Sequence, residues 1–147
     1  MHRVAITGIG IVSVLGSTID TVAESLRTGR SGIVADPGRT ALGFRSPLTG
    51  EIAGFDPRAF LTKKQCKTMP DFAVQAYAAA ADAIRASGLS PAEIENDETG
   101  LVFGCDSSCL AAVEQVELLR TRGETKLIGS GQVFRSMTSC ITMNLNT

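Results

Sequence analysis

The chain has 147 residues, enough for one domain, with 44% apolar and 20% charged residues and a formal net charge of −1. Its 14 Lys and Arg nearly cancel its 15 Asp and Glu, which argues against a strongly basic nucleic-acid binder. No stretch approaches the roughly 18–20 apolar residues of a membrane span. The apolar start resembles a signal peptide only superficially, because glycines and polar residues interrupt it. We therefore predict a soluble cytoplasmic protein with no nucleic-acid or membrane partner.

Two segments with apolar side chains at consecutive positions predict strands that are buried on both faces: residues 3–11 and residues 99–104. In the first of them, Gly8 and Gly10 permit a tight turn or a close backbone approach. The intervening residues 31–61 are rich in Gly and Pro, which predicts loops and short strands lying over the domain.

Two long helices are predicted from their end signals. The first runs from an N-cap at Ser17 to about Arg27 and stops at Gly29, and the second is capped by Asp71, covers residues 72–87 and stops at Gly88. The alanine-rich centre of the second helix is apolar almost all round, so we expect it to be buried. Shorter helices are predicted after a capping box at residues 90–93, over residues 111–120, and at the end of the chain, where Val133, Met137, Ile141 and Leu145 recur every four residues.

This alternation of strands and helices predicts an α/β domain with a parallel or mixed sheet. Only two core strands are predicted with clear patterning, and two strands cannot bury an alanine-rich helix of this length. The domain therefore looks incomplete.

The residues offer no complete active site. The four cysteines (Cys66, Cys105, Cys109 and Cys140) occur with a single histidine, His2, which argues against a structural zinc site. We expect all four to be small packed residues of a reducing compartment. Cys140 falls within an apolar helical pattern rather than at a helix N-terminus, which favours a packed thiol over an activated nucleophile.

A glycine motif near the start leaves a second class of function open. Gly8 and Gly10 follow a predicted strand, as in dinucleotide-binding folds, but Ser13 stands where the third glycine is needed. Asp36 lies at a tolerable distance for a ribose ligand, although it follows a loop. An NAD(P)-binding oxidoreductase domain is therefore an alternative that binding of NADPH would test.

Several blocks of sequence, in order along nearly the whole chain, resemble the β-ketoacyl-acyl-carrier-protein synthases, also called ketosynthases. They are residues 4–16 (VAITGIGIVSVLG), 25–33 (SLRTGRSGI), 63–71 (KKQCKTMPD) continuing through the alanine helix to residue 91, 99–104 (TGLVFG), and the helix from Gln132. The resemblance implies a thiolase-like fold, a layered α/β/α/β/α sandwich, with residues 1–147 forming most of its first half.

The resemblance also implies the activity and the location of its catalytic residues. Such enzymes take an acyl group onto a cysteine, decarboxylate malonyl-acyl carrier protein and join the two acyl units in fatty-acid or polyketide synthesis, as homodimers and without a cofactor. The family's nucleophilic cysteine, two histidines and lysine would all follow Thr147, so no catalytic residue is assigned here and the chain alone is expected to be inactive. A non-catalytic chain-length-factor subunit is the alternative within this fold.

Two sets of peripheral residues carry over from the resemblance. The substrate pocket is expected to involve Ser107, Phe134 and Met137, with Asp106 and Ser107 replacing a glycine-rich run that is common in the family. Docking of the acidic acyl carrier protein is expected at two basic clusters, which are Lys63, Lys64 and Lys67 (cluster 1) and Arg120, Arg122 and Lys126 (cluster 2).

Overall fold

The computed structural model describes residues 3–106 and 109–146. The helices are α1 (Ile19–Thr28), α2 (Pro37–Ala41), α3 (Asp71–Ser87), α4 (Pro91–Ile94), α5 (Leu110–Arg122), α6 (Ser130–Arg135) and α7 (Cys140–Leu145), with 3₁₀ turns at Pro57–Ala59 and Gln65–Thr68. The strands β1 (Ile33–Ala35) and β2 (Leu48–Gly50) pair antiparallel, with Val34 opposite Thr49. Among the helices of these described residues, none combines the length and apolar character that a membrane span requires.

The core lies where α3 meets α7 and the segment that precedes α3. Its buried residues are Leu61, Met69, Ala73, Val74, Cys140 and Ile141. Ala73 and Ala78 on α3 are fully buried, and the other alanines at the centre of that helix are partly buried. The prediction that the alanine-rich helix is covered is thus correct for its inner face. Small side chains on that face allow neighbouring backbone to approach closely.

Gly8 and Gly10 provide the closest of these approaches. A Cβ atom at Gly10 would lie 1.8 Å from the carbonyl oxygen of Ala79, and one at Gly8 would lie 2.1 Å from that of Ala83. These carbonyls lie one helical turn apart on α3, so the N-terminal segment crosses the helix with its glycines against the helix backbone. Of the two roles predicted for these glycines, close backbone approach is the one that is observed.

The two predicted core strands are not formed in the described residues. Residues 3–11 and 99–104 carry no strand pairing, and the only sheet of the described chain is the β1–β2 hairpin. Their apolar side chains face solvent, with Val4 95%, Ile6 84% and Val102 94% exposed. A strand is held by hydrogen bonds to a neighbouring strand, and no described segment supplies one here. The predicted parallel or mixed core sheet is therefore wrong for this chain by itself.

Helix boundaries follow the sequence signals to within a few residues. α1 and α3 end at Gly29 and Gly88 as predicted, and both glycines adopt the left-handed conformation. Their N-caps are one residue away from those predicted, at Thr18 instead of Ser17 and at Pro70 instead of Asp71. The Thr18 hydroxyl accepts from the Thr21 N–H at 3.2 Å, which Ser17 does not do. The helix predicted over residues 111–120 extends from Leu110 to Arg122.

The last predicted helix is divided into α6 and α7 by residues 136–139. The Ser136 hydroxyl donates to the Val133 carbonyl at 2.8 Å, and the Ser136 N–H donates to the carbonyls of Val133 and Gln132. Such local bonds from Ser and Thr compete with continued helix. The division corrects a second prediction, because Cys140 is the first residue of α7 rather than a mid-helix residue.

Candidate functional site

The two basic clusters lie on elements that flank α6. Lys63 and Lys64 precede the 3₁₀ turn Gln65–Thr68, and Lys67 lies within it. All three are exposed, and no ion pair joins them to an acidic side chain in the described part of the chain. The turn packs against α6, with the Lys67 carbonyl 3.4 Å from where a Cβ of Gly131 would be. Cluster 1 is thus a solvent-facing group of positive charges on a packed support.

Cluster 2 occupies the C-terminal end of α5. Arg120 and Arg122 stand exposed in its last turn, and Lys126 lies 3.6 Å from the Glu124 carboxylate. Cations at this end of a helix also interact favourably with its dipole, which gives the two arginines a structural role independent of any partner. α5 packs on α6, where the Gln115 amide donates to the Gln132 carbonyl at 3.0 Å.

A cavity of about 420 Å³ lies where the N-terminal ends of α3 and α5 meet α6. Its lining includes Asp71, Asp106, Leu110, Glu114 and Arg135. The Arg135 Nε is buried without a hydrogen-bond partner in the described chain. Three carboxylates against one guanidinium make the electrostatic character of this cavity acidic, so it is not suited to a negatively charged group. Sequence patterns gave no signal for the role of Asp71 or Arg135 here.

Of the residues predicted to form a substrate pocket, Phe134 and Met137 are neighbours, with the Met137 N–H donating to the Phe134 carbonyl at 3.2 Å. Phe134 lies on α6 and Met137 just after it, 37% and 41% exposed, and neither lines the cavity beside Asp106. Ser107 lies outside the described residues. Their assignment to an acyl pocket remains a prediction.

The thiol of Cys140 has the environment of a packed residue even though it begins a helix. The side chain is completely buried within the core cluster. Burial raises the pKa of the Cys140 thiol, and the nearby Cys105 acts in the same direction. Desolvation disfavours the thiolate. Burial in the core, and not a mid-helix position, therefore makes Cys140 a poor nucleophile.

The glycine motif that left a dinucleotide site open is occupied by protein. In dinucleotide-binding folds such glycines let the backbone approach a pyrophosphate. Here Gly8 and Gly10 lie against the carbonyl oxygens of α3, which would repel a phosphate. This geometry removes the observation on which the NAD(P)-binding alternative depended.

Comparisons with known proteins identify the family. Residues 1–146 match the family model described as "Beta-ketoacyl synthase, N-terminal domain". The chain is 33% identical over 148 residues to 3-oxoacyl-[acyl-carrier-protein] synthase 1 of Haemophilus influenzae and 32% identical over 149 residues to the protein of the same name from Escherichia coli K12. Each alignment covers 100% of this chain but 36% of the relative, so the chain spans about a third of their length.

Two solved ketosynthase structures have a fold similar to that of this chain. A β-ketoacyl synthase from Burkholderia phymatum STM815 superposes with a TM-score of 0.77 at 24% identity, covering 99% of this chain and 36% of that one. The ishigamide ketosynthase/chain length factor gives a TM-score of 0.77 at 20% identity, covering 95% and 36%. At these identities the likeness concerns the fold alone, which is that of part of a ketosynthase. The family match over nearly every residue places this chain in the β-ketoacyl synthase family, as a part that corresponds to its N-terminal domain.

Proposed function

We propose that the protein carrying this chain is an acyltransferase that condenses an acyl thioester with malonyl-acyl carrier protein, with loss of carbon dioxide. The observation that carries the proposal is the family match over residues 1–146, supported by relatives above 30% identity that are named 3-oxoacyl-[acyl-carrier-protein] synthases. The complete protein would have the layered thiolase-like sandwich and would act as a homodimer. The chemistry is covalent catalysis by a cysteine with electrostatic stabilisation of the enolate and needs no cofactor.

The proposal places the catalytic residues outside these 147 residues. The chain contains one histidine, and its most buried thiol, Cys140, has a raised pKa. A cysteine nucleophile needs a base within hydrogen-bond reach and an environment that favours its thiolate. Residues 1–147 alone should therefore produce no β-ketoacyl product.

The direct test incubates the full-length protein with an acyl thioester and malonyl-acyl carrier protein and measures the products. We expect release of carbon dioxide together with a β-ketoacyl thioester, detected by mass spectrometry, and no product from residues 1–147 at the same concentration. Absence of both products from the full-length protein would favour the chain-length-factor alternative. Turnover by residues 1–147 would overturn the location of the catalytic residues.

Carrier-protein docking at the two basic clusters is the second part of the proposal. Cluster 1 supports it most strongly, because its lysines are exposed and lack ion-pair partners in the described chain, whereas Lys126 of cluster 2 is paired with Glu124. Exposed charge pairs contribute about 0–1 kcal/mol each. Two charge reversals should therefore weaken binding by roughly tenfold at low salt, mainly through the association rate.

The docking test compares two double variants of the full-length protein. Lys63→Glu with Lys64→Glu should weaken binding of the carrier protein, and the difference from wild type should shrink as salt is added. Arg27→Glu with Arg45→Glu changes net charge equally at exposed positions outside both clusters and should leave binding close to wild type. Equal weakening by the two variants would show a net-charge effect and not a docking site. Condensation from a small-molecule malonyl thioester separates this outcome from loss of the proposed activity.

A further inference from the structure

A second cavity, of about 350 Å³, lies between the first turns of α3, Arg135 of α6 and the segment that precedes α3. Its apolar wall includes Phe55, Met69 and Val74. Met69 and Val74 are 3% and 6% exposed, and Phe55 packs against the core cluster to which they belong. The core therefore supplies one wall of this cavity, whose volume is at the small end of ligand pockets.

The polar side of the cavity contains a guanidinium that has no partner. The Nε of Arg135 is buried without a hydrogen-bond partner in the described chain, and Arg135 forms no ion pair with any residue described there. Asp71 lines the same cavity without pairing with it, and Gln75, one turn further along α3, adds an amide. A partly buried guanidinium without a counter-ion costs free energy, so this position favours an anion.

The charges around Arg135 indicate which cavity the anion would occupy and what kind of anion it is. The 420 Å³ cavity, which Arg135 also lines, carries Asp106 and Glu114 in addition to Asp71, so its carboxylates repel an anion. Among the described residues that line the second cavity, Asp71 is the only acidic one, and it balances Arg135. This balance suits a singly charged group better than a phosphate dianion. A carboxylate also matches the guanidinium fork, which can donate two parallel N–H bonds to it.

We propose that the second cavity binds a small monocarboxylate with a compact aromatic body, held at its carboxylate by Arg135 and at its body by the apolar wall. Phe55 provides an aromatic surface there, and its ring stacks on Phe60 with the centroids 6.3 Å apart. Phe134 and Met137, which were predicted for an acyl pocket, do not line this cavity. The site does not require the proposed condensing activity.

The binding test uses the full-length protein with para-fluorobenzoate as the probe and para-fluorobenzamide as its uncharged isostere. Broadening of the fluorine NMR signal measures the binding of each probe. We expect para-fluorobenzoate to bind, and the amide to bind at least about tenfold more weakly because it lacks the charge-assisted hydrogen bonds. Equal binding of the two probes, or binding of neither, would overturn the proposal.

Two cysteines report which cavity the probe occupies. Cys66 lines the second cavity and is partly buried, whereas Cys109 is exposed and lines the 420 Å³ cavity. Bound para-fluorobenzoate should slow the alkylation of Cys66 by iodoacetamide and leave that of Cys109 unchanged, as measured by mass spectrometry. Slower alkylation of Cys109, or an unchanged rate at Cys66, would contradict the proposed location.

Three variants of the full-length protein test the role of the charges. Arg135→Gln should lower the affinity for para-fluorobenzoate at least about tenfold. Arg58→Gln is the matched control, because it removes the same charge from an exposed position in the adjacent turn Pro57–Ala59 that does not line the cavity, and it should bind as wild type does. Asp71→Asn should raise the affinity, since it removes the carboxylate that opposes the anion.

The gain expected for Asp71→Asn keeps the test decisive even if circular dichroism shows that Arg135→Gln is unfolded, because a folding defect does not tighten binding. Unchanged affinity in a folded Arg135→Gln variant would remove the proposed carboxylate ligand. Equal weakening by Arg135→Gln and Arg58→Gln would show an effect of net charge and would also overturn the site.

Discussion

The core around α3 and the two apolar segments at residues 3–11 and 99–104 behave in opposite ways, although both are rich in apolar side chains. In the core, Ala73, Val74 and Ile141 are at most 6% exposed, whereas Val4 and Val102 are more than 90% exposed. A helix satisfies its own backbone hydrogen bonds and needs only one covered face, while a strand needs a neighbour for its hydrogen bonds and cover on both faces. The comparison shows that, in the described residues, the helical core is covered while the two apolar segments are not.

The largest expected effect concerns residues 1–147 expressed alone. Their exposed apolar segments leave surface in water, and a few hundred Å² at about 25 cal/mol per Å² forfeits several kcal/mol. That loss is comparable with the roughly 5–15 kcal/mol that stabilises a typical domain. We expect the isolated chain to bind a hydrophobic dye and to unfold without a sharp transition, in contrast to the full-length protein. A cooperative transition without dye binding would remove the distinction between the two regions.

Truncation at one position in each region sharpens the comparison. Ile141→Ala removes a side chain that is 4% exposed in the core and should lower the free energy of unfolding by about 2–5 kcal/mol. Val102→Ala alters a side chain that is 94% exposed and should change it by less than about 0.5 kcal/mol if that surface stays open. Denaturant unfolding of the full-length protein measures both. A comparable loss at Val102 would show that this segment is covered in the whole protein, and no loss at Ile141 would contradict the core described here.

The crossing of α3 by the N-terminal segment gives a third test. Gly10→Ala would place a methyl group against the Ala79 carbonyl, so we expect a loss of about 3 kcal/mol as backbone shifts apart. Gly100→Ala is the matched control, because nothing lies within 4 Å of its added Cβ. Thermal or denaturant unfolding of the full-length variants should separate the two glycines. Equal stability of both variants would mean that the segment does not lie on α3.

The smallest effect is expected at the capping box of α4. The Glu93 carboxylate accepts from the Ser90 hydroxyl at 2.6 Å and from the Ser90 N–H at 2.8 Å, and these bonds lower the pKa of Glu93 below its ordinary 4.5. A pKa that is lowered in the folded state stabilises the protein at pH values above 4.5. This stabilisation is lost as the pH falls through the pKa of the folded state. Glu93→Gln should therefore be slightly less stable than wild type at neutral pH, with the difference shrinking under acid. Glu95→Gln, at the C-cap of the same helix, is the charge-matched control, and denaturant unfolding at several pH values measures both variants.

Local sequence predicted the ends of individual helices better than it predicted the division of the last helix. The ends of α1 and α3 at Gly29 and Gly88 and the capping box at residue 90 were predicted correctly, because each depends on a few adjacent residues. The periodic pattern at the end of the chain predicted one helix where there are two. The pattern reports which face is apolar and is insensitive to the serine hydrogen bonds that end α6.

The candidate site was predictable only in part for the same reason. The exposure of the cluster 1 lysines follows from their charge. The resemblance of the surrounding residues 63–71 to ketosynthases was visible in the sequence. Asp71 on α3 and Arg135 on α6 line one cavity although they are 64 positions apart in the chain, and no local pattern encodes that arrangement.

By itself, the sequence determined the family, the C-terminal ends of α1 and α3 and the burial of alanines on α3, since these depend on local hydrogen bonding and on side-chain size. Tertiary structure decided what Gly8 and Gly10 approach, which thiols share the core, and whether the apolar segments become strands. Close packing, thiol convergence and strand pairing all join residues far apart in the chain, and their free energy depends on partners that a local pattern does not specify.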